Sequence, residues 1–297
     1  MDEETINTLK KAGKIGSETL KLGETMIRPG ASVVKILDEL DEFIKSKGAF
    51  PAFPSQIAIN STAAHFCPTD NQDVIIEEGS ILKLDVGVSI NGLIADNALT
   101  IDLGTNTELK KATREALNKA LKLVHPGAKV RDIGKEIQET IMSYGYAPIR
   151  NLSGHGLSKF KVHAEPTIPN FDTGEETQLK ENQVIAIEPF ASTGAGIVYE
   201  SSNPTLYSLI NEKPPRSMMT REVLKEIKTY EGLPFTSRYL ERKFGQGKTA
   251  FALRELTNNG SLQAHPPLLD KAKGLVSQAE HSVIVKEKPI IYTKFDD

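Results

Sequence analysis

The sequence predicts an α/β protein of two halves related by a pseudo-two-fold axis, with a helical subdomain inserted in the second half. Three observations carry this reading. A helix-helix-strand order occurs twice, the two copies share residues at a fixed spacing, and the last strands of the second copy are delayed by a helical stretch. Pro29-Gly30-Ala31 recurs as Pro126-Gly127-Ala128, Val33 as Val130, Ile36 as Ile133, Ile44 as Ile141, Ser46 as Ser143, Gly48 as Gly145 and Pro51 as Pro148, all at an offset of 97. Two amphipathic helices can share apolar positions by chance, but not easily the Pro-Gly-Ala before them and the Ser-x-Gly-x-x-Pro after them. The strands continue the repeat at an offset of 103, where Glu78 to Asp85 aligns with Glu181 to Glu188 and makes Asp85 and Glu188 counterparts. Two copies, each far longer than a solenoid unit, exclude a repeat array.

In chain order, Ile6, Leu9, Ala12, Ile15, Leu20 and Leu22 give residues 2–24 near-helical spacing. Ser32 caps a second helix that runs to about Lys47 and stops at Gly48. A β-hairpin follows at Ile81 to Asp96, then a second helix pair near 107–124 and 131–144. Residues 205–270 carry helical patterns near 220–231, 236–244 and 248–258, and a strand resumes over Gly274 to Val285. The expected division is a body of 1–204 and 271–297 around an inserted helical subdomain of 205–270.

At 297 residues the chain can bury a sizeable core, and 39% hydrophobic with 25% charged residues marks a globular protein. The acidic start Met1-Asp2-Glu3-Glu4 lacks the apolar stretch of a signal peptide, and no run approaches the roughly 18 apolar residues of a membrane span. The single cysteine, Cys67, excludes an internal disulfide and a Cys-rich metal site and fits a reducing cytoplasm. A net charge of −3 gives no whole-chain attraction to nucleic acid. The insertion is different: residues 211–273 hold twelve Lys and Arg against seven Asp and Glu.

The hairpin brings two acids together. Leu82, Leu84, Val86 and Val88 alternate with Ile81, Lys83, Asp85 and Gly87, so one face is buried and Asp85 points to the other. Asn91-Gly92 predicts a two-residue type I′ turn. That turn sets Asp85 opposite Ala98, with Asp96 two residues along, so both carboxylates share a face as a diagonal pair roughly 7–8 Å apart at the backbone. Their repulsion and desolvation would be relieved by a metal. The plainer alternative has Asp85 beside Lys83 facing solvent and Asp96 starting a bend.

Three further residues join them as candidate ligands. His155 lies in Ser153-Gly154-His155-Gly156, where glycines permit close backbone approach, or is a turn histidine. Glu188 ends Val184-Ile185-Ala186-Ile187 before Pro189, or is an edge-strand acid facing water. Glu280 sits in an apolar strand and needs a partner there. Four strand acids with one imidazole make an oxygen-rich site for a pair of Mn, Fe, Co or Zn ions, suited to activating water for hydrolysis of an acyl compound.

At these five residues the chain resembles the methionine aminopeptidase family and its pita-bread fold over essentially its whole length. The order and spacing of Asp85, Asp96, His155, Glu188 and Glu280 look like that family's dinuclear ligand set, and Leu152-Ser153-Gly154-His155-Gly156 and Ala279-Glu280-His281 look like its surroundings. The insertion between Glu188 and Glu280 resembles the type 2 subclass, and the short N-terminus its archaeal form. The resemblance implies two divalent ions per chain (Co, Mn, Fe or Zn) in a cytoplasmic, monomeric enzyme. It further implies removal of the N-terminal methionine of nascent polypeptides, preferentially before a small second residue, with no membrane contact. Arg221, Lys225 and Lys228 share one helix face of the insertion, which is either a site of transient ribosome contact or a solvated face, and the insertion is expected to wall one side of the methionine pocket. The resemblance implies that Glu188 is both ligand and acid/base, that His65 and His163 contact the substrate amide and assist proton transfer, and that Phe53 walls the methionine pocket. His125, His265 and His281 are read as structural. The competing expectations are a prolidase or proline aminopeptidase of the same fold, which carries an added N-terminal domain, and a catalytically silent pita-bread module binding RNA or protein, which would lack ligands.

Overall fold

The computed structural model describes residues 1–201 and 203–294, so the last three positions of the expected 271–297 segment lie outside the described residues. The four body helices form where the periodicity predicts: α1 (Glu3–Met26), α2 (Val33–Ser46), α3 (Thr107–Lys122) and α4 (Val130–Ser143). The Ser32 hydroxyl accepts from the Lys35 amide at 3.2 Å, as its capping position requires.

The repeat survives in the backbone hydrogen bonds. The Gly30 amide donates to the Ile76 carbonyl at 2.8 Å, and its counterpart Gly127 donates to Leu179 at 2.8 Å; Ile76 and Leu179 return bonds to Ala31 and Ala128. Gly48 and Gly145, which end α2 and α4, both take left-handed φ, 75° and 81°. The repeated residues are those that the shared turn geometry needs.

Strands Phe50–Ile59, Ile81–Ile90 and Leu93–Asp102 form one antiparallel sheet with the hairpin in the middle and at one edge. Asn91 and Gly92 form the turn with φ of 52° and 83°, and the register sets Asp85 opposite Ala98 and Asp96 opposite Gly87. Leu82, Leu84, Val86 and Val88 pack with Leu9, Ile15, Leu37 and Leu40 of α1 and α2. The opposite face is not open to water, contrary to the one-sided reading of the pattern. Ile81 is fully buried there in the second core, and Lys83 is 1% exposed, its ammonium donating to the Asn60 carbonyl at 2.8 Å. A sheet covered on both faces cannot show its second face in an alternating pattern.

The second half builds a five-stranded sheet in the order Ile290–Ile291, His281–Ile284, Val184–Ile187, Ser153–Ser158, Lys161–Pro169. Helices α3 and α4 cover it through Leu117, Ile133 and Ile137 against Ile185, Ile187 and Val283. The halves are stitched beside the acids. The Ser282 hydroxyl donates to the Asp96 carbonyl at 2.7 Å and accepts from its amide at 2.9 Å, and the Glu280 amide donates to Ala98 at 3.0 Å.

Two expectations are corrected. The strand over Gly274 to Val285 is broken into Val276–Gln278 and His281–Ile284, with Glu280 in an isolated bridge to Ala98 between them. The inserted segment is not purely helical. Beside α5 (Met218–Ile227), α6 (Ser237–Phe244) and α7 (Gln246–Asn258) it holds a sheet of Leu206–Leu209 between Phe235–Thr236 and Leu262–His265. Strands of two to four residues are too short for a period-2 signal.

Residues of this segment share a core of Val223, Ile227, Phe235, Leu240, Leu253 and Leu256. It docks on the body through α6. Arg242 forks onto Asp38 (2.7 and 2.9 Å) and also bonds Asp70, while fully buried Arg238 reaches Asp38 at 3.2 Å and the Pro68 carbonyl at 2.7 Å. Among the described residues no helix is long and apolar enough to cross a membrane.

Candidate metal centre

The two sheets meet over a cavity of about 230 Å³ whose lining includes all five acid and imidazole candidates, Asp85, Asp96, His155, Glu188 and Glu280, together with Phe53, His65 and His163. Three strand registers aim them. Ala98 lies between Asp85 on one side and Glu280 on the other, and Asp96 is one pleat further along the same strand. His155 stands opposite Ala186, and Glu188 follows two residues later. Ligand atoms of Asp96, His155 and Glu280 all lie within 4.8 Å of one another.

His155 owes its position to its neighbours. Its strand carries register shifts on both sides of Gly156, and such bulges re-aim a side chain. A Cβ on Gly154 would lie 2.3 Å from the Ala186 carbonyl oxygen, and one on Gly156 would lie 2.1 Å from that of Glu165. Both clashes are with backbone of adjacent strands, which cannot swing aside. Gly156→Ala is therefore expected to destabilise the fold by about 1–3 kcal/mol and to displace His155. Thermal melting and metal content measured together check this, and an unchanged melt with full metal uptake would refute it.

The electrostatics of the acids are one-sided. Burial pushes the Asp85 carboxyl up to about 7, with only the Gln278 amide and a backbone amide pulling it down. Burial also raises Asp96, Glu188 and Glu280, and repulsion among the acids adds to it in each case. Among the described residues, the ion-pair partner within reach of these acids is His155, whose Nε2 lies 3.7 Å from Asp96 and 3.6 Å from Glu188. That contact is not a true ion pair. Burial drives the imidazole down to about 3, and Nδ1 lies 3.2 Å from the Gly156 carbonyl, so the proton sits on Nδ1. The Nε2 lone pair consequently faces two carboxylates.

A divalent cation fits this donor set. Asp85 Oδ1 and Asp96 Oδ1 are buried without a hydrogen-bond partner, an arrangement costly for a carboxylate unless something positive lies against it. A backbone carbonyl on the far nitrogen of a histidine is also the usual support for a metal-ligating imidazole. The plainer readings of the acids fail on position: Asp96 lies within a strand, not a bend, and Val184–Ile187 is a central strand, so Glu188 is not on an edge.

The remaining residues line the same cavity. His163 stands edge-on to His155 with ring centroids 4.6 Å apart. Phe53 packs with Ile94, Leu157, Val162 and Leu233, so it is at once core and cavity wall. Two lining or supporting residues were not anticipated. Gln278 is buried and its amide reaches Glu188 and Glu280, both at 3.4 Å. His265, read as structural, lines the cavity and stands edge-on to His65 at 5.7 Å. His281 faces Thr293 and Arg114, and His125 is exposed.

Convergent buried carboxylates around an imidazole lone pair are a donor set that could hold a divalent cation, of the oxygen-rich kind that serves hydrolysis. The chain belongs to metallopeptidase family M24, which it matches over residues 7–216, and is a metal-dependent peptidase. It is 43% identical to the methionine aminopeptidase of Archaeoglobus fulgidus, over 97% of either chain. Among solved structures it is similar to the methionine aminopeptidase of Thermotoga maritima, at 24% identity and a TM-score of 0.73, covering 99% of this chain and 98% of that one. It is also similar to a thermophilic Arx1, at 16% identity and a TM-score of 0.90, covering 100% and 92%. The fold is the pita-bread fold.

Proposed function

We propose that this protein is a methionine aminopeptidase that removes the N-terminal methionine of nascent polypeptides, preferentially before a small second residue. The observation that carries the reading is the join of a cation-seeking cluster to an apolar wall in one cavity: Asp85, Asp96, His155, Glu188 and Glu280 at its floor, Phe53, Val162 and Leu206 along its side. The five floor residues would hold two divalent ions (Co, Mn, Fe or Zn), which supply Lewis-acid polarisation of the scissile carbonyl and activation of water at neutral pH. Glu188, buried in the cavity beside Asp85 and Asp96, takes the proton of the attacking water on a carboxylate oxygen and delivers it to the leaving amine. His65 and His163 hold the substrate amide and stabilise charge developing on it. Phe53 confines the methionine side chain.

The insertion between Glu188 and Glu280 supports placement in the type 2 subclass, with 1–204 and 271–297 as the catalytic domain and 205–270 as a subdomain. Action on new N-termini fits a cytoplasmic monomer. A ribosome-facing role for Arg221, Lys225 and Lys228 has weaker support. Lys228 pairs with Glu212 at 2.6 Å and Arg221 donates to the Pro215 carbonyl at 3.2 Å, which suits a solvated, partly neutralised face.

Metal analysis combined with turnover of Met-Ala-Ser and of Pro-initiated peptides tests the reading. Two divalent ions per chain and cleavage of Met-Ala-Ser are expected; faster release of proline would favour a proline aminopeptidase, and metal uptake without turnover of either would favour a binding module. His65→Ala is expected to lower the rate by on the order of 10²–10³ without releasing metal. A parallel fall in metal content would make His65 a ligand and overturn its assigned role.

A further inference from the structure

His65 is a non-glycine residue in the left-handed region, with φ of 62°, a conformation that persists where surrounding structure imposes it. What imposes it here comes from the far end of the inserted segment. Ala64, immediately before it, pairs with Leu268, and Thr62 pairs with Leu269, with a register shift between the two pairs. The His65 ring stands edge-on to His265 at 5.7 Å and 71° and faces the Pro266 carbonyl. His265 is itself fixed: its Nε2 shares a hydrogen bond of 2.9 Å with the Ser208 hydroxyl. Ser208 and His265 lie on the neighbouring strands Leu206–Leu209 and Leu262–His265, where Leu206 pairs with His265 and Ser208 with Gln263. The ring of His65 is thus backed by a rigid two-strand platform that is wholly part of the insertion.

We propose that His265, held by Ser208, is a positioning residue that fixes the His65 imidazole toward the substrate, so that the inserted sheet completes the active site. The inference rests on the role given to His65 above. Without the His265 ring, the His65 side chain gains rotamer freedom to leave its cavity-facing pose, and misplacement of a substrate-contacting group by about 1 Å is enough to cost up to about 10² in rate. The ring that His265 meets is that of His65, whereas the acid cluster's imidazole, His155, meets His163. Loss of His265 leaves the metal floor intact.

The test is a double-mutant cycle on Met-Ala-Ser hydrolysis by the metal-loaded full chain, with metal content measured for each protein. His265→Ala is expected to lower kcat about tenfold with KM and metal content unchanged, and Ser208→Ala to lower it by about threefold. His265→Phe, which keeps a ring edge against His65 but loses the Ser208 bond, is expected to recover to the Ser208→Ala level. In a His65→Ala background, His265→Ala should change kcat by less than about twofold. The same tenfold loss in that background, or a wild-type kcat for His265→Ala, would overturn the proposal while leaving His65 in its role. A wild-type kcat for His65→Ala would overturn both. Should His265→Ala fail to fold, Ser208→Ala carries the cycle: its loss of about threefold should vanish in a His65→Ala background, and the same loss there would overturn the proposal.

Discussion

Glu280→Gln is expected to raise the melting temperature of the metal-free protein while reducing peptide hydrolysis to background. Both halves follow from one arrangement. In the absence of a cation, Glu280 is 1% exposed and is repelled by Asp96, Glu188 and Asp85, with Gln278 as the amide that offsets the repulsion, at 3.4 Å. An amide in its place has nearly the same shape, is neutral without taking up a proton and still meets Gln278, so the cost of keeping a buried acid among other acids is removed. Each kcal/mol so recovered moves the melting temperature by roughly 1.5–2 °C for a chain of this size. The ordinary result of removing a buried, partnered acid is the reverse, a loss of several kcal/mol, which makes the sign of the change diagnostic.

The activity half is the larger effect. Asp85→Ala and His155→Ala should be equally inactive, and each should remain folded, because none of these side chains contributes apolar burial to the cores around Leu84 or Ile185. The measurement is a melt of chelator-treated protein beside turnover of Met-Ala-Ser after metal is restored. Near-normal turnover in any one variant would break the dinuclear reading. A lowered apo melting temperature for Glu280→Gln would show that the acids are not straining the fold. Such a site trades stability for function, as sites built from like charges do.

How far the site could be read in advance depended on whether geometry was local. The Asn91-Gly92 turn fixed register over twenty residues, so the diagonal placement of Asp85 and Asp96 followed from the sequence, and all ten hairpin pairs keep it. The body helices were legible for the same reason: capping and apolar period are properties of neighbouring residues. His265 was not legible as a cavity residue because its place depends on how the insertion docks. Docking rests on contacts such as Arg242 to Asp38, which are 204 residues apart and leave no pattern in either segment. Lys83 misled for a related reason. A lysine in a strand reads as a solvent face, and only the folded chain shows the Asn60 carbonyl that lets its ammonium be buried. Gln278 has no local signature at all; its meaning lies in the two carboxylates it touches.

Metal uptake at neutral pH is expected to release protons, and the stabilisation that metal confers is expected to grow as pH rises from about 6 to 8. The metal-free carboxyls bind protons more tightly than free carboxylates do. Asp85 is pushed up from 3.8 to about 7 by burial, and Asp96, Glu188 and Glu280 are raised by burial and mutual repulsion. Between about pH 4 and 7 the folded metal-free chain therefore holds more protons at these groups than the unfolded chain. Their contribution to stability is fully present below the unfolded values and is lost as pH rises through the folded ones. The buried histidines act in the opposite sense. His155 and His65 are driven down to about 3 and His265 to about 4, so the unfolded chain takes up protons below about 6.5 and stability falls with pH there. The two trends overlap in a melt of the metal-free protein alone. They separate in the difference between metal-loaded and chelated samples, because the histidines are neutral in both, whereas the carboxyls must lose their protons to bind a cation. Calorimetric titration with Mn or Co at pH 7 in two buffers of different ionisation enthalpy should then show proton release of about one or more per chain, reduced in Asp85→Asn. Carboxylates at their ordinary values of 3.8 and 4.5 would already be bare at that pH, so a buffer-independent enthalpy would mean that the acids are neither as buried nor as crowded as the fold makes them.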